Sequence, residues 1–143
     1  MDTHRATASL PWIDGPAVRA ALSPRAAVDA LEAALAAGLD PEADAPRTRV
    51  ATAAGQLLQM PSTRGTEVGT KLVTLTPDNP ERGLPVIQGV YVLFGAPGAP
   101  GQAPRAVLDG VELTGLRTSA VSTLGERLLA DASPRHLVAV SYT

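Results

Sequence analysis

The spacing of apolar residues changes period at Pro46, and this change constrains the fold more than any other feature of the chain. Before it, Val28, Leu31 and Leu35 recur at helical intervals while Arg25, Asp29 and Glu32 face elsewhere. Ser23 followed by Pro24 reads as an N-cap with proline at the first helical position. Gly38 suits the position just past the helix end, and Pro41 prevents resumption. A shorter helix over residues 16–22 precedes it, and residues 10–13 read as an edge strand interrupted by Pro11. After Pro46, residues 48–52, 56–60, 67–76 and 86–94 carry β-branched and apolar side chains separated by turn chemistry, with Ala54-Gly55 placed for a hairpin.

Residues 77–85 form a loop dense in Pro, Asn, Asp and Gly, and residues 95–104 a glycine- and proline-rich connection. A strand over 105–108, a turn at Asp109-Gly110 and a helix over 113–130 complete the series. In that helix Thr114 is the expected N-cap, and Leu116, Ala120, Leu124 and Leu128 form the apolar stripe. Residues 136–140 look like the opening of another strand. Helices and strands segregated in this way predict an α+β fold, with a mixed or antiparallel sheet and flanking helices.

Composition narrows the function classes. In 143 residues, 45% hydrophobic and 18% charged describe a chain able to bury a core rather than a disordered one. A net charge of −2 argues against a basic nucleic-acid face, and 3% aromatics leaves no stacking platform for single strands. Without cysteine there is no disulfide, thiolate metal site or Cys nucleophile, and His4 and His136 are too far apart in sequence for a short-spaced metal motif. No apolar run is long enough to span a membrane, so the expected location is cytoplasmic.

Three cations stand in awkward places. Lys71 alternates with Gly69, Val73 and Leu75, while Val68, Thr70, Leu72 and Thr74 occupy the other face, so neither face is plainly the wet one. Arg117 flanks the apolar stripe of the last helix, in what is expected to be its first turn, where the dipole disfavours positive charge. Arg47 and Arg49 open the strand after the first helical region. A bound anion would satisfy such charges. The alternative is structural: the lysine snorkels, and Arg117 pairs with Glu112 or Asp109.

The run LLQMP at 57–61, GTKLVTLTPDNPERGLPVIQG at 69–89 and VLDGVELTGLRTSAVS at 107–122 resembles the ornithine cyclodeaminase/mu-crystallin family, over nearly the whole chain. That resemblance implies the family's N-terminal portion, which binds substrate and forms a dimer, over residues 1–130. Residues 131–143 then correspond to the first strand of a dinucleotide-binding domain. In relatives that strand runs into a G-x-G turn, whereas here the positions read Ser141-Tyr142-Thr143. The resemblance further assigns Arg47, Lys71 and Arg117 to the substrate carboxylate, with Arg49 the less suitable neighbour, and Arg117 and Val86 to the cofactor side. Val86 departs from the Thr or Ser of many relatives, so any contact there comes from backbone; Gln88 occupies a common family position that core hydrogen bonding explains equally.

The implied chemistry is NAD(P)-dependent conversion of L-ornithine to L-proline and ammonia. Alternatives are reduction of a cyclic imino acid, dehydrogenation of an amino acid, or a non-catalytic carboxylate-binding module. The family's catalytic aspartate has no counterpart here, so no catalytic residue is assigned in this chain, which reads as a truncated member expected to be inactive by itself and not to bind NAD(P) unaided. Expected partners are a small amino or imino acid, a second copy of the chain, and a separate dinucleotide-binding chain.

Overall fold

Three side-chain oxygens start the three helices. Asp14 Oδ1 accepts from Ala17 N at 2.9 Å, Ser23 Oγ from Ala26 N at 3.2 Å, and Asp109 Oδ1 from Val111 and Glu112 N, both at 2.9 Å. The helices they open are α1 (Gly15–Ala21), α2 (Pro24–Ala36) and α3 (Gly110–Leu129). The computed structural model describes residues 9–65, 67–95, 103–131, 133, 135, 136 and 138. The strand expected at 136–140 and most of the connection at 95–104 lie outside them. No helix among the described residues is long and apolar enough to cross a membrane.

The strands are β1 (Trp12–Ile13), β2 (Thr48–Thr52), β3 (Gly55–Arg64), β4 (Glu67–Leu75), β5 (Ile87–Phe94) and β6 (Pro104–Asp109). They form one mixed sheet in the order β1-β6-β5-β4-β3-β2. Only β1 is parallel to its neighbour; the other pairings are antiparallel. The α+β class and the mixed sheet are therefore as expected. Strand β3 runs past the expected end at Met60 and includes Pro61. Strand β2 stops at Thr48, opposite Gln59, so the second half of β3 is an edge, where a missing N–H is tolerated. At the hairpin, Gly55 has φ +152°, and a Cβ there would lie 2.0 Å from the Leu75 carbonyl oxygen. Glycine is required by close approach as well as by the turn.

The helices lie on the sheet face that carries Lys71. Ala27 and Val28 of α2 meet Ala120 and Leu124 of α3, with Leu22, Leu31 and Leu116 around them. Small alanines bring α2 close to α3, and the buried face of α2 is Ala27, Val28 and Ala34 rather than a stripe ending at Leu35, which is 45% exposed. On α3 the stripe holds through Leu124, but Leu128 is 61% exposed, beyond the part that α2 covers. Arg127 closes that end with 2.7 Å and 3.6 Å bridges to Glu32 and Asp29.

The start of α3 differs from expectation. Asp109-Gly110 is not a turn: Asp109 is the cap, and the helix begins at Gly110. A Cβ at Gly110 would meet the backbone of Gly89 and Val90 at 2.8 Å, so α3 rests directly on β5. Thr114 therefore lies one turn inside the helix, and Arg117 two turns inside it.

Candidate functional site

Lys71 is paired across the sheet with Met60 on β3 and Tyr91 on β5, at the middle of the ladder. Its Nζ donates to Thr114 Oγ1 at 3.1 Å. The threonine hydroxyl donates its single proton to the Gly110 carbonyl at 2.5 Å, so what it offers Lys71 is a lone pair. The role expected of Thr114, N-cap of the last helix, belongs to Asp109. Its actual role is to fasten the lysine to α3.

Arg117 is three residues further along α3, on the same side of the helix as Thr114. Because the helix starts at Gly110, its dipole does not explain the position of this arginine. Arg47 lies just before β2. The positive charges of Arg117 and Arg47 both act on Lys71. Arg49 lies within edge strand β2, opposite Leu58, and is not among the charges acting on Lys71. The two guanidiniums whose charge acts on the Lys71 ammonium thus come from a loop and a helix.

The two acids expected as partners of Arg117 are engaged elsewhere. Glu112 bridges to Arg19, and Asp109 is the cap of α3. Among the described residues the ion pairs involve Arg19, Arg25 and Arg127, and none joins an acid to Arg47, Lys71 or Arg117. The structural alternative, in which Arg117 pairs with Glu112 or Asp109, is not what the chain does. Like charges held together without a counter-ion are unfavourable for folding, and a small anion would relieve them.

This electrostatic arrangement has a pH signature. Burial, then Arg117, then Arg47 hold the proton affinity of Lys71 below the ordinary 10.5. Between the lowered folded value and the unfolded one, the unfolded chain binds more protons. Folding stability therefore rises with pH across that window, up to about 10.5. Urea midpoints measured over this range should rise for the wild-type chain and lose that component in Lys71→Met.

Tyr91 and Asp44 were not legible as neighbours of the site. The Tyr91 hydroxyl lies over Gly69, where a Cβ would come within 1.9 Å of its oxygen. Burial, with Asp44 and Glu67 nearby, raises the Tyr91 pKa. Asp44 itself accepts from Ser62 Oγ at 2.8 Å. Glycine at 69 was the one available signal, since it marks a place where something crosses the strand.

The remaining candidates lie apart from the cations. The Val86 carbonyl accepts from Thr76 N at 2.9 Å, which leaves its amide and apolar side chain for any other contact. It stands just before β5, five residues from Tyr91, which in extended backbone is about 17 Å, farther than a small acid extends. Gln88 is exposed and pairs with Thr74 on the opposite sheet face, so it is not a core hydrogen-bonding residue. That face borders an open groove of about 620 Å³ lined by Trp12, Leu57, Leu72, Gln88 and Val90, among others.

The family model for ornithine cyclodeaminase/mu-crystallin proteins matches residues 16–141. Delta(1)-pyrroline-2-carboxylate reductase 2 of Burkholderia ambifaria is 40% identical over 86 residues, covering 60% of this chain and 27% of the reductase. Among solved structures, an archaeal alanine dehydrogenase dimer with bound NAD superposes with a TM-score of 0.72 at 26% identity, over 85% of this chain and 38% of that one. The Delta(1)-pyrroline-2-carboxylate reductase of Thermococcus litoralis, in complex with NADH and L-proline, gives 0.69 at 26% identity over the same shares. The chain thus matches well under half the length of each of these proteins.

Proposed function

This chain belongs to the ornithine cyclodeaminase/mu-crystallin family, and from that premise we propose that it forms the substrate-holding and self-associating portion of a nicotinamide-dependent enzyme. Its ligand is a small amino or imino acid, gripped by the carboxylate. The observation that carries this reading is that the charges of Arg117 and Arg47 both act on Lys71, with no ion pair from an acid to any of the three among the described residues. Arg47 and Arg117 supply planar donor forks suited to a carboxylate, and Lys71 a point charge between them. Such a clamp fixes the α-carbon and excludes rotation, which is the contribution a binding half makes to hydride transfer.

The relatives favour a cyclic imino acid over ornithine as the ligand, because reductases of Delta(1)-pyrroline-2-carboxylate recur among them. A nicotinamide dinucleotide supplies the hydride when bound. Arg117, which pairs with no acid among the described residues, has a charge to offer it, whereas Val86 has only an amide and an apolar surface. Residues 1–130 form the substrate portion in this reading, and 131–143 correspond to the first strand of a dinucleotide-binding domain. Isothermal calorimetry of the 143-residue chain with L-proline and pyrrole-2-carboxylate tests it, with L-ornithine as the competing arm. Saturable binding of the cyclic acids supports the clamp, and heats no different from equimolar chloride overturn it.

Self-association has its own support. The sheet face opposite the helices is apolar, with Trp12 56% exposed at its edge, and the archaeal alanine dehydrogenase is described as a dimer. Sedimentation should show a dimer or larger species, shifted toward monomer by Leu72→Glu; a wild-type monomer at tens of micromolar removes this part of the proposal.

A further inference from the structure

Lys71 is the only lysine in the chain; of 12 basic Lys and Arg side chains, the other 11 are arginines. Wherever this protein needs positive charge alone it uses a guanidinium, which cannot be deprotonated in a protein. The single exception is the residue on which the charges of Arg117 and Arg47 act, where arginine would serve an anion at least as well. Lysine alone provides a nitrogen that, once deprotonated, carries a nucleophilic lone pair.

We propose that Lys71 condenses reversibly with the ketone carbon of a 2-oxo acid whose carboxylate is held by Arg47 and Arg117, so that the chain forms an imine with its ligand. This rests on the carboxylate clamp proposed above and adds a covalent step to it. Two features of the surroundings favour the free amine, and a third leaves its lone pair open. Thr114 Oγ1 fixes Nζ at 3.1 Å as an acceptor and, with its own proton committed to the Gly110 carbonyl, does not cap the nitrogen lone pair. Among the described residues no carboxylate forms an ion pair with Lys71 that would hold it as ammonium. Burial and the two guanidiniums lower its proton affinity.

The step is balanced without an oxidant or reductant. The free amine attacks C2 of the oxo acid, the carbonyl electron pair moves to oxygen, and proton transfer gives a carbinolamine. A proton from solvent lets that oxygen leave as water, giving a protonated C=N bond to Lys71, and the addition of water with return of the proton to solvent reverses it. The carboxylate remains on the arginines throughout.

The test is reductive trapping of the full chain with pyruvate and cyanoborohydride, read by intact mass and peptide mapping. The expected result is one reduced adduct at Lys71. It should saturate with pyruvate and form about tenfold faster than labelling of the chain's α-amine, the only other primary amine. Lys71→Arg should lose it while keeping its thermal transition, and Thr114→Val should slow it. Methyl pyruvate, which lacks the anion, should label Lys71 about tenfold more slowly. Calorimetric binding of pyruvate without an adduct overturns the condensation and leaves the clamp standing. Equal labelling by pyruvate and its methyl ester overturns the clamp. Adducts confined to the α-amine, unchanged in Lys71→Arg, overturn the condensation.

Discussion

An Arg117→Ala chain is expected to bind L-proline about ten- to a hundredfold more weakly than the wild type while folding no less stably. Losing charge-assisted hydrogen bonds to a carboxylate costs about 1.5–3 kcal/mol, and each ~1.4 kcal/mol is a factor of ten in affinity. The stability expectation follows from the other side of the electrostatics. Arg117 makes no ion pair with an acid among the described residues and opposes the charge on Lys71, so its removal relieves repulsion. An arginine placed for structure would show the reverse, a lower melting temperature with ligand binding unaffected. Arg117→Lys should restore part of the affinity, since it keeps the charge and loses the fork. Arg47→Ala should behave similarly, and the double variant should fall short of the sum, because both groups act on one ligand. Thermal melts with and without saturating L-proline, alongside calorimetry, separate these outcomes.

The elements set by local chemistry were legible in the sequence. Ser23-Pro24 opens α2, Gly38 follows its end with φ +86°, and the strand segments fall where β-branched residues lie between turn residues. What was not legible depended on which surfaces meet. Asp109-Gly110 carries the chemistry of a turn and of a helix cap equally well. The choice is made by β5, whose backbone at Gly89 and Val90 accepts a glycine against it. Leu35 and Leu128 have the right spacing to be buried, yet the facing helix does not reach them. Among the site residues, the awkwardness of Lys71 and Arg117 was visible from periodicity. Their meeting with Arg47 depends on ladder register and on where α3 starts. Thr114 was misread for the same reason: moving the helix start by one turn converts a cap into the partner of Lys71.

The start of α3 therefore controls both stability and the site, and two glycine substitutions in that one helix should have opposite signs. Glycine is a poor helix residue, by about 1 kcal/mol relative to alanine. At Gly115 an added Cβ meets nothing within 4 Å, so Gly115→Ala should stabilise the chain by about 0.5–1 kcal/mol. At Gly110 the same methyl would sit 2.8 Å from three backbone atoms of Gly89 and Val90, which cannot rotate away as a side chain would. Overpacking of this kind costs about 1–3 kcal/mol and outweighs the gain in propensity. For a chain this size that corresponds to a fall of several degrees in melting temperature, at about 2–4 °C per kcal/mol. The larger effect is expected in the site. Lifting the N-terminus of α3 off β5 carries Thr114 away from Lys71 and Arg117 away from the cluster, at the scale of a hydrogen bond that is now 3.1 Å long. Gly110→Ala should then lose L-proline binding and the depressed proton affinity of Lys71 together, whereas Gly115→Ala should keep both. A Gly110→Ala chain that binds L-proline like the wild type would show that the cations hold their places without the close contact of α3 on β5.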